Sequence, residues 1–152
     1  MTTRPPIRYA DRDPAFDADA FLALAQRVWP RAYDRESAHE ALRRTINVGA
    51  WDGARLVGAV RVLTDGYFIA TVAELLVDPD YRRRGIGREL MRRALDHAPR
   101  GKLFFGAQPD AVPFFERLGY ARGPVGFVAA REEGPRRAGP PPNELARRGG
   151  GP

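Results

Sequence analysis

The sequence predicts an α+β domain, within the broader α/β class, in which helices flank a mixed and mostly antiparallel central sheet. Residues 16–28 and 85–98 place apolar side chains at helical spacing, so each segment is predicted to form an amphipathic helix. Between them two Asp-Gly pairs, at residues 52–53 and 65–66, interrupt strand-like runs. Asp-Gly favours hairpins because a type I′ turn needs positive φ. The predicted antiparallel strands cover residues 47–51, 55–64 and 67–77.

Shorter elements complete the predicted fold. Ser37 is expected to cap a second helix on its N-terminal side. Asp110 is expected to cap a helix that runs through Leu118 and stops at Gly119, a residue suited to the left-handed conformation. Further strands are predicted at residues 7–9, 102–107 and 125–130.

Length and composition indicate one domain. Of the 152 residues 43% are apolar, which is enough for a packed core. The chain has no cysteine and only two histidines, so we expect no metal site. No apolar run reaches the roughly 18–20 residues of a membrane span, and the N-terminus lacks a signal-peptide core, so we expect a cytoplasmic protein. We assign residues 1–131 to the domain and expect the Pro- and Gly-rich residues 132–152 to be disordered.

The net charge of +6 comes almost entirely from arginine, because Lys102 is the only lysine. Abundant Arg, Ala, Gly and Pro together are typical of a GC-rich coding sequence. We therefore do not infer nucleic-acid binding from the charge, which suits an acidic small ligand equally well.

The segment VDPDYRRRGIGREL, residues 77–90, predicts a site for a diphosphate. Pro79 ends the preceding strand because proline cannot donate to a sheet ladder. A helix begins near Gly85, and a helix N-terminus offers unpaired N–H groups to an anion. Gly85 and Gly87 lack the Cβ atoms that would hold a phosphate away from the backbone, and the arginines at 82–84 add positive charge.

Two other phosphate motifs do not fit this segment. A Walker loop needs a lysine after its last glycine, and none follows here. The dinucleotide fingerprint G-x-G-x-x-G needs a third glycine where this chain has Leu90. The remaining alternative is an ordinary turn followed by a solvated run of arginines.

The pattern Arg82-x-x-Gly85-x-Gly87 resembles the acetyl-CoA signature, (Q or R)-x-x-G-x-(G or A), of the GCN5-related N-acetyltransferases, the GNAT superfamily. The stretch FFERLGY resembles the superfamily's closing F-Y-x-x-x-G-(F or Y). The resemblance extends over roughly residues 5–130. It implies the GNAT fold, in which the sheet splays apart after the strand ending at Val77 and holds acetyl-CoA in the split.

The resemblance also implies which residues hold the cofactor. The backbone of residues 75–77 would pair with the pantetheine arm, and the amides from Arg83 to Arg88 would hold the pyrophosphate. Gln108 stands where relatives often carry an asparagine that bonds the pantetheine, and Phe115 is placed to contact the same arm. The full expected set is Leu75, Leu76, Val77, Arg82, Arg83, Arg84, Gly85, Ile86, Gly87, Arg88, Gln108 and Phe115.

In the superfamily an amine attacks the thioester directly, without an acyl-enzyme. An alkyl ammonium has a pKa of about 10, so a general base assists the reaction at neutral pH. Glu74, a carboxylate in the apolar run VAELLV, is the candidate base; alternatively it faces solvent or pairs with an arginine. A backbone N–H near a bulge in the 70–77 strand is the candidate for polarising the carbonyl. The glutamate that ribosomal-protein alanine acetyltransferases carry on the next strand is replaced by Leu103.

Phe115 stands where many relatives have a tyrosine that acts as general acid, and phenylalanine cannot donate a proton. Water would then protonate the thiolate, or one of the hydroxyls of Tyr67, Tyr81 and Tyr120 would do so. The same departure leaves a second function open, a catalytically reduced module that binds acyl-CoA for regulation.

The acceptor implied by the resemblance is a primary amine of a small molecule or peptide. Trp29 and Tyr33 lie four residues apart around Pro30 and form a candidate aromatic wall for it; alternatively both pack over the sheet. We expect neither a nucleic-acid nor a membrane partner. A homodimer is possible, since members of the superfamily often pair through their final strands.

Overall fold

The computed structural model describes Thr3 and residues 5–131. The chain divides after Phe105 into two compact units, which are described separately. The predicted disordered tail, residues 132–152, lies outside the described residues. The first unit contains β1 Arg8–Asp11, α1 Ala18–Val28, α2 Arg35–Arg43, β2 Ile46–Asp52, β3 Arg55–Thr64, β4 Ala70–Val77, a 3₁₀ turn Pro79–Tyr81 and α3 Ile86–Asp96.

The four strands form one antiparallel sheet in the order β1-β2-β3-β4, as the predicted fold class requires. Asp52 pairs with Arg55, so the β2–β3 loop consists of Gly53 and Ala54. Of these two residues only Gly53 has positive φ, at 58°. This is the pattern of a type II′ turn and not of the predicted type I′ turn.

The second Asp-Gly pair forms a longer connection, and β4 begins at Ala70 instead of residue 67. The reason is the Asp65 carboxylate, which accepts hydrogen bonds from the amides of Tyr67, Phe68 and Ile69 at 2.9, 2.8 and 3.1 Å. These backbone bonds, that from Phe68 foremost, hold the pKa of Asp65 below its ordinary value. The amides of residues 67–69 therefore bond within the turn and do not join the hydrogen bonds of the sheet.

The two faces of the sheet carry different helices. Ala59 and Leu76 belong to a buried cluster with Phe21 and Leu24 of α1. The neighbouring residue Gly58 faces α3 instead, since successive residues of a strand point to opposite faces. A Cβ built on Gly58 would lie 2.7 Å from the Ile86 side chain and 3.1 Å from the Leu90 side chain. The absence of a side chain at Gly58 thus lets α3 approach the sheet closely.

Two helix starts differ from the predictions. The first helix begins at Ala18 because Asp17 is its N-cap and accepts the Ala20 amide at 2.9 Å. In α2 the cap is Asp34 and not Ser37, because the Asp34 carboxylate accepts the Ser37 amide at 2.9 Å. Both carboxylates fit the general preference for Asp at this position.

Beyond α3 the predicted strands do not form. Residues 102–107 make one parallel bridge, between Phe104 and Thr71. In the second unit, α4 Val112–Arg117 has Ala111 as its N-cap, so the predicted cap by Asp110 is wrong. The predicted stop is confirmed by Gly119, whose φ is 81°. Residues 125–130 form no strand.

Charged pairs on α3 give a testable acid dependence. Hydrogen bonds from Arg92, with a further bond from Arg93, lower the pKa of Glu89 to about 2. A carboxylate with a depressed pKa stabilises the fold above its ordinary pKa of 4.5, and this contribution is lost as the pH falls through about 2. We expect Glu89→Gln to lower the free energy of unfolding by about 1 kcal/mol at pH 7 and by much less at pH 2.5.

Urea denaturation at the two pH values measures this difference. Asp96→Asn is the matched control on the same helix, because Asp96 meets Arg92 only at 3.4 Å and should matter less. Equal destabilisation by Glu89→Gln at both pH values would contradict the assignment.

Candidate functional site

The turn between β4 and α3 departs from ordinary helical and extended backbone at two residues. Gly85 is the N-cap of α3 and has φ of 77°, in the left-handed region. Arg83 has φ of 61°, an uncommon value for a residue with a side chain. Backbone strain in such a turn is often retained where amides must point at a ligand.

Among the described residues, no side chain bonds to the amides at the N-terminus of α3. Glu89 is the first residue whose N–H bonds back within the helix, to the Gly85 carbonyl at 3.1 Å. The N–H groups of Ile86, Gly87 and Arg88 therefore have no side-chain partner in the part of the chain that the structure describes. With the positive end of the helix dipole behind them, these amides are suited to a phosphate.

The flanking arginines differ in what they contact. Arg82 donates from Nε to the Val77 carbonyl at 3.4 Å, and the Arg84 guanidinium lies 5.0 Å from the centre of the Tyr81 ring. The side chains of residues 82–84 and Arg88 are exposed. They are therefore placed to add a positive field at the turn, while the uncapped amides supply directed donors.

Asp78 is buried at the end of β4 and anchors this turn. Arg27 of α1 donates to its two oxygens at 2.6 and 3.1 Å, and Arg55 of β3 donates at 2.6 Å. The Asp80 amide adds a bond at 3.0 Å. Burial pushes the pKa of Asp78 upward, but the Arg27 hydrogen bonds and the other donors outweigh it and hold the pKa below its ordinary value.

Sequence reasoning did not assign a role to Asp78. An aspartate directly before Pro79 is a recognisable turn cap, and this signal was present in the sequence. Its arginine partners were not recognisable, because Arg27 and Arg55 lie 51 and 23 residues away along the chain.

Within the described part of the chain, no strand pairs with the outer edge of β4 over its C-terminal half. The Asp78 amide bonds to the Val57 carbonyl of β3 at 2.9 Å. Because main-chain groups of an antiparallel strand alternate in direction, those of Leu75 and Val77 point away from β3, while those of Leu76 point towards it. Leu76 lies in the buried cluster beneath α1. Of the predicted pantetheine-pairing residues, Leu75 and Val77 therefore direct main-chain groups to the outer edge, where the Val77 carbonyl already accepts the bond from Arg82 Nε at 3.4 Å.

The predicted bulge in this strand is confirmed. Arg61 pairs with Glu74 and Val62 with Val72, which leaves Ala73 without a partner in β3. On the outer edge the Val72 amide bonds to the Phe104 carbonyl at 3.3 Å. The edge is thus closed at Val72 and opens at the bulge.

Glu74 forms a bidentate pair with Arg61. The distances are 2.7 and 2.8 Å, and the two side chains are only 19% and 13% exposed. The Arg61 guanidinium also lies 5.2 Å from the centre of the Phe21 ring. Glu74 thus does not face solvent alone: it pairs with an arginine, as one of the sequence alternatives held, and its role as a base stays a prediction.

The three hydroxyl candidates for proton donation have different surroundings. Tyr81 is buried and donates its hydroxyl to Asp52 at 2.6 Å, while its ring contacts Arg55. Tyr67 is exposed in the β3–β4 turn. In the second unit the ring of Tyr120 stacks on Phe115 with centroids 6.2 Å apart.

Trp29 and Tyr33 do lie together at the junction of α1 and α2. The Tyr33 hydroxyl donates to the Trp29 carbonyl at 2.8 Å, and the Arg31 guanidinium lies over the Tyr33 ring at 4.8 Å. Trp29 is 45% exposed. An open cavity of about 400 Å³ lies further along α2; it is lined by Ser37, Glu40, Ala41, Arg44, Thr45, Arg61 and Leu63.

Gln108 and Phe115 belong to the second unit. The Gln108 carbonyl accepts the amides of Ala111 and Val112 at 2.9 and 3.2 Å at the start of α4. Phe115 meets Phe114 edge-to-face, with centroids 5.0 Å apart. The assignment of Gln108 and Phe115 to cofactor binding stays a prediction.

Comparison with known proteins now identifies the family. A family model described as an acetyltransferase (GNAT) domain matches residues 13–130. The chain belongs to the GNAT acetyltransferase family. This confirms both the resemblance inferred from the turn and the fold class.

Two curated acetyltransferase relatives align over about three quarters of this chain. N-alpha-acetyltransferase RimI of Mycobacterium tuberculosis is 32% identical over 120 residues, which cover 74% of this chain and 74% of that protein. Probable acetyltransferase TAP2 of Glycine max is 29% identical over 128 residues, which cover 73% of this chain but 51% of that protein. The chain therefore spans about half the length of the soybean relative.

Solved GNAT structures have the same fold. A GNAT-family acetyltransferase from Streptococcus pneumoniae superposes with a TM-score of 0.72 at 25% identity, covering 84% of this chain and 100% of that one. AAC(6')-Iy in complex with a bisubstrate analogue of CoA superposes with a TM-score of 0.67 at 14% identity, covering 84% and 99%.

Among the described residues, no cluster of three or more His, Asp or Glu side chains is arranged to hold a metal ion. None of the helices in the described part of the chain has the length and hydropathy needed to cross a membrane.

Proposed function

We propose that this protein transfers the acetyl group of acetyl-CoA to a primary amine of a small molecule or peptide by direct attack. The observation that carries the proposal is the uncapped α3 N-terminus, with left-handed Gly85, directly after the open edge of β4. One segment thus offers amides for a pyrophosphate, and the adjoining strand offers an edge for an amide-bearing arm. Coenzyme A carries both chemical groups.

The residues of this site are suited to two parts of acetyl-CoA, the pyrophosphate and the pantetheine arm. The amides of Ile86, Gly87 and Arg88, within the field of the arginines, would hold the pyrophosphate. The main-chain groups of Leu75 and the N–H of Val77 would pair with the pantetheine as an added strand does. When bound, acetyl-CoA supplies an activated acyl group on a good leaving group, and the chain's own residues position it and manage the protons.

The bulge at Ala73 places a main-chain N–H where the edge of β4 opens, so this amide is our candidate for polarising the acetyl carbonyl. Glu74 is the candidate base for the ammonium of the acceptor. Its pair with Arg61 holds the carboxylate in one orientation and leaves each oxygen a second lone pair.

The base assignment predicts a kinetic effect at Glu74. We expect Glu74→Gln to lower kcat by about 100-fold while the Kd for acetyl-CoA stays within about twofold, because the amide cannot accept the proton. The matched control is Arg61→Gln, which breaks the same pair but keeps the carboxylate, and it should retain most of kcat. Steady-state CoA release measures both. If the two variants lose kcat equally, Glu74 is structural.

We propose that the acceptor is a primary amine, without naming the molecule that carries it. The M. tuberculosis relative is named as an N-alpha-acetyltransferase, which favours an α-amino group. Trp29 and Tyr33 are adjacent and partly exposed, which supports their assignment to the acceptor wall.

Isothermal titration with acetyl-CoA and CoA release over a panel of amines test the proposal. Binding together with turnover of at least one amine supports the transferase. The second candidate, a regulatory module, is favoured by Phe115 at the usual tyrosine position, and tight binding without turnover on any amine would support it. Absence of acetyl-CoA binding would contradict both.

A further inference from the structure

Asp78 is the one charged residue that is buried in the part of the chain that the structure describes. It lies directly after β4, at the start of the turn that leads into α3. Taking a carboxylate out of water is costly, and a buried ion pair is often no more stabilising than apolar side chains of the same size. Such a group at this position favours a role in fixing one conformation of the turn.

Two arginines from separate elements converge on this carboxylate. Arg27, in the last turn of α1, bonds to both oxygens, and Arg55, the first residue of β3, bonds to one of them. The two arginine side chains are 42% and 50% exposed, so each remains partly in water while its charged end meets a buried partner. If either arginine is removed, the other still compensates the charge of Asp78.

Both arginines also contact the turn that follows Asp78. Arg27 donates to the Asp80 carboxylate at 2.8 Å, and the Arg55 guanidinium lies 5.6 Å from the centre of the Tyr81 ring. Within the turn, the Tyr81 amide bonds to the Asp78 carbonyl at 2.8 Å. The two arginines therefore hold the segment from residue 78 to residue 81 from two sides, one in α1 and one in β3.

The held segment borders the unusual backbone of the proposed cofactor site. Arg83 and Gly85 both have positive φ, and a residue with a side chain keeps this conformation only where its surroundings impose it. On the near side, the Arg84 guanidinium lies 5.0 Å from the centre of the Tyr81 ring. On the far side, Ile86 is buried at the start of α3. The direction of the first α3 amides thus depends on the anchoring of the turn as well as on the packing of the helix.

We infer that Arg27 and Arg55 are positioning residues for acetyl-CoA. Acting through Asp78, they hold the turn in the conformation in which the first amides of α3 meet the pyrophosphate. This role needs no contact between either guanidinium and the cofactor. The inference rests on the proposed function and adds two residues from outside the segment 77–90 to the determinants of cofactor affinity.

Isothermal titration of the full chain with acetyl-CoA, where nearly all of the protein is folded, tests the inference. We expect Arg27→Met to raise the Kd about tenfold, because it removes charge-assisted hydrogen bonds that hold the turn. Arg27→Lys keeps the positive charge and should recover part of the lost affinity. With an amine that the wild-type protein acetylates, the KM for acetyl-CoA should rise by the same factor as the Kd, while kcat stays within about twofold.

The second variant and two controls separate this role from stability. Arg55→Met removes the other bond to Asp78 without altering α1, and it should raise the Kd by a similar factor. Arg35→Met removes an arginine that bonds to Asp19 of α1 at 2.7 and 2.9 Å, a pair that does not involve the turn, and should leave the Kd unchanged. Leu42→Ala removes a buried side chain from α2 and should lower the melting temperature while the Kd stays unchanged.

Two results would overturn the inference and leave the proposed function intact. One is an unchanged Kd for acetyl-CoA in the folded arginine variants. The other is an equal rise in Kd for Leu42→Ala, since the effect would then follow stability and not the turn. Should Arg27→Met fail to fold, Arg27→Lys and Arg55→Met decide between these outcomes. Failure of the wild-type protein to bind acetyl-CoA would instead defeat the proposed function, and the inference with it.

Discussion

Replacing Gly87 with leucine is expected to raise the Kd for acetyl-CoA by at least about 100-fold while the protein stays folded. Gly87 lies in the first turn of α3, where its amide is one of the uncapped donors. A leucine side chain there would occupy the space that the pyrophosphate needs, and losing two or three charge-assisted hydrogen bonds costs about 3 kcal/mol or more. Isothermal titration with acetyl-CoA measures the effect.

Stability should not fall in this variant. Gly87 lies within the helix and not at a positive φ, and leucine is a better helix former than glycine. Gly123→Leu is the matched control, since that glycine has ordinary φ and open space around its Cβ position. Retained affinity in Gly87→Leu, with an unchanged melting temperature, would show that the α3 N-terminus does not hold the cofactor.

Replacing Gly58 with valine should destabilise the fold and weaken acetyl-CoA binding together. Its Cβ alone would lie 2.7 Å from the Ile86 side chain, 3.1 Å from that of Leu90 and 3.2 Å from that of Ala50. Ile86 and Leu90 are buried, so α3 must shift away from the sheet. Overpacking of this kind costs about 1–3 kcal/mol or more. Because Ile86 opens the helix, the same shift displaces the amides of the first turn.

Urea denaturation measures the loss in the free energy of unfolding. Isothermal titration with acetyl-CoA, under conditions where nearly all of the protein is folded, gives the Kd. Gly58→Ala is the graded control and should show a smaller loss in both quantities. If Gly58→Val destabilises the protein but leaves the Kd for acetyl-CoA unchanged, the packing of α3 against the sheet does not control the geometry of its N-terminus.

The turn between β4 and α3, our proposed cofactor site, was predictable from sequence because its chemistry is local. Gly85 and Gly87 stand where backbone amides need room, and Pro79 marks the end of the strand before them. Each of these signals lies within ten residues of the others, so spacing alone carries the information. The bulge in β4 was also expected, from the family resemblance, and register pairing places it at Ala73.

Features that depend on distant partners were not predictable. The pairing of Glu74 with Arg61 was one of several alternatives, and only strand register brings the two residues opposite each other. The start of β4 shifted because Asp65 satisfies backbone donors that the apolar pattern had assigned to a strand. Two caps were misplaced by a few residues, since Asp34 competes with Ser37, and Ala111 opens a helix without any side-chain bond.

The anchoring of Asp78 has a consequence for the order in which the protein folds. The hairpin of β3 and β4 and the turn after it form from neighbouring residues, but Arg27 comes from a helix 51 residues earlier in the chain. Contacts of such sequence separation are made late, because the intervening chain must first be confined. The turn before α3 should therefore become fixed only after α1 has docked, so a misfolded N-terminal half would yield a sheet that forms while the turn that follows β4 stays unanchored.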